Sequence, residues 1–240
     1  MKRGIKVDCL STELRKRLIE KGASIVRFAD LKDIPESQRE SYKYGISIAV
    51  ALNPYIIAGI ENGPTKDYYG EYIRVNNLLD DLDEYAAKII TQHGFRALPK
   101  VKRSIKTDET TLATILPHKT VATRAGIGWI GKCALLVTKE FGSAVRLSTI
   151  LTDAQLNVGS PINESKCGKC LICTSFCPSN AVLGVNWKVN MDRDNYFDAF
   201  KCGDEGRKRS NKLGVEERIC GKCMFICPWT QKYLKSKEKN

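Results

Sequence analysis

Seven cysteines fall into two short runs, and no other feature of the chain limits its fold as strongly. The first run is Cys167-Gly-Lys-Cys170-Leu-Ile-Cys173-Thr-Ser-Phe-Cys177-Pro178, and the second is Cys220-Gly-Lys-Cys223-Met-Phe-Ile-Cys227-Pro228. A tight loop with a cysteine at every third residue brings three thiolates together and sends the fourth away along the chain. The spacing C-x2-C-x2-C-x3-C-P is that of cubane iron–sulfur ligation, in which the last cysteine serves the other cluster. Each proline closes its loop with a fixed φ and no N–H to satisfy.

Counting ligands extends this reading. The second run has one cysteine too few, and Cys202, between the runs, is the natural replacement. Crossing the last cysteine of each run gives one [4Fe-4S] set of Cys167, Cys170, Cys173 and Cys227, and another of Cys177, Cys202, Cys220 and Cys223. Cys9 and Cys133 are left over. Structural zinc and disulfides are the alternatives, since C-x2-C pairs also suit zinc. Three cysteines at such intervals followed by x3-Cys-Pro exceed what one tetrahedral ion needs.

The chain has 240 residues, 42% of them hydrophobic, which suits a main core plus a smaller cluster-binding domain. No apolar run reaches the roughly 18 residues of a membrane span. The basic start, Met-Lys-Arg-Gly-Ile-Lys, has no apolar stretch behind it, so no secretory signal is expected, and a reducing cytoplasm suits the ten cysteines. The formal charge of +12 counts cysteines as neutral. Two clusters at about −2 each bring the loaded protein to roughly +8. Such a surplus is compatible with nucleic acid, an acidic protein or an anionic small molecule, though solvated lysines explain it more simply.

Before the cysteine runs, strands and helices alternate. Ser11 is placed to cap a short helix ending at Gly22, and Ala23 to Phe28 reads as a strand. Leu31 to Glu40 reads as a connection. Tyr44 to Leu52 is apolar enough for a strand covered on both faces. Lys66 to His93 is the longest helical pattern, closed by Gly94. Phe95 to Leu98, Ala134 to Thr138 and Val145 to Leu151 read as strands, Lys100 to Thr111 as a surface excursion and Thr120 to Ala125 as a short helix. The predicted class is α/β (α+β), a mixed-sheet domain over residues 1–156 followed by a small ferredoxin-like double-cluster domain over 157–230 and a basic tail over 231–240. In the second part, Ala181 to Asn190 reads as a strand pair, Arg193 to Phe200 as a short helix and Arg207 to Lys212 as an exposed basic loop. The tail is expected to fray.

Thr123-Arg-Ala-Gly-Ile-Gly-Trp-Ile-Gly-Lys132, taken with Leu151-Thr-Asp153 and a second cysteine run ending in Cys-Pro-Trp229, resembles epoxyqueuosine reductase and related double-cluster proteins. These are similar in turn to the core of corrinoid-dependent reductive dehalogenases. The resemblance covers Tyr44 to Trp229 and implies the same crossed ligand sets, Cys202 included. It also implies a nitroreductase-like α/β domain that binds cobalamin with one cubane close to the corrin, an electron donor of low potential such as ferredoxin or flavodoxin, and a small-molecule or tRNA substrate without membrane involvement.

Cofactor contacts then fall to Arg124, Gly126, Gly128, Gly131 and Lys132: glycines let a backbone lie close to a flat macrocycle, and a lysine can meet a propionamide or phosphate. The same segment also reads as a tight helix-to-strand turn packed by Trp129. Three differences stand out against the family pattern. The catalytic aspartate expected about a dozen residues before Arg124 is replaced by Leu112-Ala-Thr114, the asparagine after Gly-Lys is Cys133, and the chain ends soon after Trp229 without the helical repeats that contribute to tRNA binding. They suggest a reductive reaction other than standard epoxyqueuosine reduction, with His118 as substitute proton donor; Asp108 and Glu109 lie nearer the missing acid but would need a gap of several residues. A non-catalytic electron-transfer or corrinoid-reducing partner is the competing reading. Cys133 reads as a buried thiol at a strand start.

Overall fold

The computed structural model describes residues 7–237. The first six residues, on which the absence of a secretory signal was argued, and the last three of the tail lie outside the described residues. In chain order the helices are α1 (Val7–Glu20), α2 (Glu36–Arg39), α3 (Pro54–Ala58), α4 (Lys66–Gln92), α5 (His118–Arg124), α6 (Ile172–Ser175), α7 (Ala199–Asn211), α8 (Lys222–Ile226) and α9 (Pro228–Lys237). The strands are β1 (Ile25–Asp30), β2 (Tyr44–Ala51), β3 (Ala97–Pro99), β4 (Gly128–Ile130), β5 (Leu136–Thr138) and β6 (Val145–Thr152). These elements form two compact units, each assembled from separated stretches of chain. One takes in the chain up to Val50, Val75–Ile127 and Arg146–Ile162, and the other Ala51–Arg74, Gly128–Val145 and the chain from Asn163.

The first unit is built on a four-stranded sheet of order β1-β2-β6-β3. β1 runs antiparallel to β2 with Val26 opposite Ile48, and β3 runs antiparallel to β6 with Leu98 opposite Leu151. The central position of β2 explains its apolar run, because residues 45–50 are all buried. Leu10, Leu14 and Leu18 of α1 share a helical face and are buried, as are Leu79, Leu82, Ala86 and Ile90 of α4. Gly94 follows α4 at φ +80°, the left-handed conformation that a helix stop favours. Ser11 is not the cap it was expected to be. The helix starts earlier, and the buried Ser11 hydroxyl accepts a 2.8 Å hydrogen bond from the Asn157 amide.

In the second unit β4 and β5 form an antiparallel hairpin, with Trp129 opposite Val137. Ile130, Ala134, Trp187 and Tyr196 make a small core flanked by Met191 and Phe197. The region over 181–190 forms no strand pair. Isolated bridges join Val182 to Phe197 and Glu164 to Lys188 instead. The basic stretch Arg207 to Lys212 is not a loop, since its residues to Asn211 are the end of α7. Asp198 caps that helix by accepting from the Lys201 amide at 2.9 Å. Nor does the tail fray directly after the cysteines. Pro228 opens α9, which buries Tyr233 and Leu234, and the Tyr233 hydroxyl donates a 3.0 Å hydrogen bond to the Leu52 carbonyl.

Candidate iron–sulfur site

The cysteine runs lie wholly in the second unit. Cys167 and Cys170 come from the loop that leads into α6, Cys173 from α6 itself, and Cys227 from the junction of α8 and α9. All four line one cavity of about 110 Å³, with Gly131, Lys132, Cys133, Val137, Pro228 and Trp229 as its other walls. Gly168 at φ +56° and Gly221 at φ +76° stand at the same place in the two runs, directly after the first cysteine. The left-handed turn each provides is open to a residue without Cβ and folds the following C-x2-C loop back on itself. At Gly221 a side chain would also meet Ile60 at 2.7 Å.

Three further thiols are neighbours of one another. Burial, then the nearby Cys220 and Cys177, push the Cys202 thiol up to about 11. Burial likewise raises Cys227, with a smaller contribution from its neighbours Cys167 and Cys173. Cys227 thus lies beside the first run, Cys177 beside Cys202 and Cys220, and Cys223 beside Cys133. The Cys177 sulfur accepts from the Ala181 amide at 3.3 Å, an outer hydrogen bond of the kind that sets the potential of a ligated cluster.

Among the described residues no group of three or more His, Cys, Asp or Glu is placed to hold one metal ion. A tetrahedral zinc needs its sulfurs about 2.3 Å from a common point, whereas a cubane holds them apart at its corners.

Gly131 and Lys132 of the glycine-rich segment reach this site. A Cβ on Gly131 would stand 3.0 Å from Val137 and 3.7 Å from the sulfurs of Cys133 and Cys167. Lys132 is buried at 3% exposure on the cavity wall. The contact with Cys133, then burial, raises the Cys173 thiol, against a smaller opposing effect of the Lys132 charge. The other residues assigned to a macrocycle are engaged within the protein. A Cβ on Gly126, at φ +72°, would lie 2.5 Å from the Ser160 carbonyl oxygen, and one on Gly128 would lie 2.2 Å from that of Val137. Arg124 is buried, and its Nη2 donates to the Ile162 carbonyl at 2.9 Å. The close backbone approaches at Gly126 and Gly128 are therefore made to the chain itself, and Trp129 packs the turn as the alternative reading had it.

Cys133 is more than a buried thiol. It lines the cavity with the four cysteines and neighbours both Cys173 and Cys223; the Cys173 contact lowers its pKa, but the Cys223 contact and burial outweigh it and raise the thiol well above its ordinary value. Its position directly after Lys132 was the only sequence signal for that placement. Cys9 is exposed on α1.

His118 lies in the first unit, where its Nδ1 is 3.0 Å from the Thr149 hydroxyl. Burial, then the charges of Arg146 and Lys100, lower its pKa to about 4. At neutral pH the imidazole is held in its neutral form, within hydrogen-bonding distance of Thr149. Asp108 is exposed. Its carboxylate accepts from the Thr110 hydroxyl and from the amides of Thr110 and Thr111, which lowers its pKa and fixes a turn closed by the Asp108–Ala113 bridge.

A 4Fe-4S binding domain matches residues 160–183. Over 115 residues, 48% of the chain, the sequence is 35% identical to the epoxyqueuosine reductase of Aliivibrio fischeri, and the matched stretch is 30% of that protein. The Lactococcus garvieae epoxyqueuosine reductase is 32% identical over 111 residues, 46% of this chain and 31% of its own. The chain thus spans about a third of the length of these relatives. Both matches are to epoxyqueuosine reductases, so the expectation of a different reaction finds no support in them.

Among solved structures, a selenomethionine-labelled epoxyqueuosine reductase matches with a TM-score of 0.59 and 22% identity, covering 92% of this chain and 66% of that one. A catabolic reductive dehalogenase matches with a TM-score of 0.70 and 15% identity, covering 97% and 34%. An epoxyqueuosine reductase solved with an epoxyqueuosine-modified tRNA stem loop matches at 0.57 and 23%, covering 92% and 65%. At these identities the likeness is one of fold. The chain is thus similar in sequence to the epoxyqueuosine reductases, carries a 4Fe-4S binding domain, and has the mixed α/β fold found in them and in reductive dehalogenases.

Proposed function

We propose that this protein is an iron–sulfur oxidoreductase that passes electrons through two [4Fe-4S] clusters to a bound corrinoid, or a related acceptor, for a reductive reaction. The observation that carries the reading is the cavity in which Cys227 joins Cys167, Cys170 and Cys173 across two separate runs. When bound, the clusters supply one-electron transfer and the corrinoid a metal centre that can be reduced at low potential. Cys167, Cys170, Cys173 and Cys227 would hold one cluster, and Cys177, Cys202, Cys220 and Cys223 the other. Val137, Pro228 and Trp229 give the first cavity an apolar wall that keeps water from the sulfurs. Lys132 places a positive charge beside it, which favours the reduced, more negative form.

The corrinoid part of the proposal draws on the fold neighbours, one of which is described as a dehalogenase structure suggesting a B12-dependent mechanism. The tRNA stem loop bound to another neighbour makes a modified tRNA base a substrate to test first. An electron-transfer partner with no corrinoid of its own is the second reading, favoured by the internal engagement of Arg124, Gly126 and Gly128. Both require a low-potential donor of the ferredoxin or flavodoxin class.

The test is anaerobic purification followed by titration with cob(II)alamin. Brown protein with about eight irons per chain and a saturable spectral shift supports the first reading. Intact clusters without a shift favour the partner reading, and a colourless zinc protein contradicts both.

A further inference from the structure

The first unit contains a polar cavity that the electron-transfer reading does not use. It has a volume of about 230 Å³ and is lined by Asn76 and Asp80 of α4, Lys100 and Lys102 from the segment after β3, His118 at the start of α5, and Arg146 of β6. Asn76 is 7% exposed, and its Oδ1 accepts from the Arg146 Nε at 3.1 Å. That bond fixes the amide with Nδ2 as its free end. Nδ2 is buried and makes no hydrogen bond among the described residues. A buried donor without a partner is costly, and the groups around it determine what relieves the cost.

Those groups are mainly cationic. Lys100, Lys102 and Arg146 bring three positive charges to the wall. Lys100 is ion-paired with Glu40, and Asp80, a negative charge on the wall, accepts from the Lys102 backbone amide at 2.9 Å, so three cations face two carboxylates. The surplus positive field is felt at His118, whose depressed pKa owes part of its shift to Arg146 and Lys100. We propose that this cavity binds a phosphate-class oxyanion, with Asn76 Nδ2, Arg146, Lys100 and Lys102 as its donors. The volume is below the roughly 300 Å³ at which drug-sized ligand pockets begin, so the ligand is inorganic phosphate or a small phosphate ester rather than a macrocycle.

Calorimetric titration of inorganic phosphate into the intact, anaerobically purified protein in a chloride buffer tests the proposal. Saturable binding at one site per chain is expected. Asn76→Asp exchanges the free donor for an acceptor and should weaken binding by about tenfold or more. Lys102→Met removes the charge of an exposed side chain and should weaken binding by a smaller factor. Dimethyl phosphate distinguishes the sources. If phosphate binds and the diester does not, the site takes free phosphate or a monoester, and if both bind it takes a diester as well. Absence of saturable phosphate binding, or equal affinity in wild type and both variants, would overturn the proposal and leave the cavity to water.

Discussion

Trp129 and Trp229 meet edge to face, their ring centroids 5.1 Å apart and their planes at 76°. One belongs to the glycine-rich segment and the other follows Cys227-Pro228, so the contact fixes two walls of the cysteine cavity relative to each other. Trp129 is 1% exposed, and the pair contributes about 0.5–1.5 kcal/mol beyond the area buried. Trp129→Ala should destabilise the protein by about 3–5 kcal/mol, and Trp129→Phe by about 1 kcal/mol. Chelator-driven iron release, followed by absorbance, should be markedly faster in the alanine variant and nearly unchanged in the phenylalanine one.

Gly142 provides a second check on the same unit. It sits at φ +56°, and a Cβ there would lie 2.2 Å from the Thr230 backbone nitrogen, while the neighbouring Ser143 amide donates to the Thr230 hydroxyl at 3.1 Å. Neither the left-handed backbone nor the contact tolerates a side chain. Gly142→Ala is expected to cost about 2 kcal/mol or more, read as a lowered midpoint in thermal unfolding. The same substitution at Gly70, where a Cβ meets nothing within 4 Å inside α4, should be neutral or stabilising.

The first unit carries a pH dependence of its own. Asp83 is fully buried, its Oδ1 accepts a 2.7 Å hydrogen bond from Ser148, and its Oδ2 has no partner. Burial raises its pKa well above 3.8, against the smaller opposing effect of the Ser148 bond, with Asp80 adding to the rise. The folded state therefore holds a proton that the unfolded chain releases. Its favourable contribution is fully present below the unfolded value and is lost as pH rises through the folded one. Asp83→Asn keeps the acceptor for Ser148 without the ionisation. Urea unfolding at mildly acidic and at neutral pH should show the wild type losing stability across that range, and the variant changing less and being the more stable at neutral pH.

Several of these features were legible in the sequence because local chemistry determines them. The pattern from Lys66 to His93 gave α4 almost to the residue, since its apolar stripe and Gly94 act within the helix itself. The apolar run from Tyr44 gave β2, which is covered on both faces. Tertiary contacts decided the rest. Arg207 to Lys212 read as an exposed basic loop, yet it ends α7, where the Arg218 backbone packs against Gly206, 3.2 Å from a would-be Cβ, and the Ser210 hydroxyl donates to the Gly206 carbonyl. The tail read as frayed because the sequence does not reveal that Tyr233 will find the Leu52 carbonyl.

The site divides along the same line. Cysteine spacing singled out Cys167, Cys170, Cys173 and Cys227, which line one cavity, whereas the cavity position of Cys133 depends on how the β4–β5 hairpin is packed. The close approaches at Gly126 and Gly128 were visible only as glycines, and their partners, Ser160 and Val137, come from elsewhere in the chain.

The crossed ligand sets are the central claim, and paired serine variants test them most directly. Electron paramagnetic resonance of the reduced protein, with iron counted in the same samples, should show Cys177→Ser and Cys202→Ser losing the same cluster signal, and Cys173→Ser and Cys227→Ser losing the other. Each variant should retain about four of roughly eight irons. If Cys177→Ser instead matched Cys173→Ser, with the signal of Cys202, Cys220 and Cys223 intact, each run would serve its own cluster and the crossed account would be contradicted.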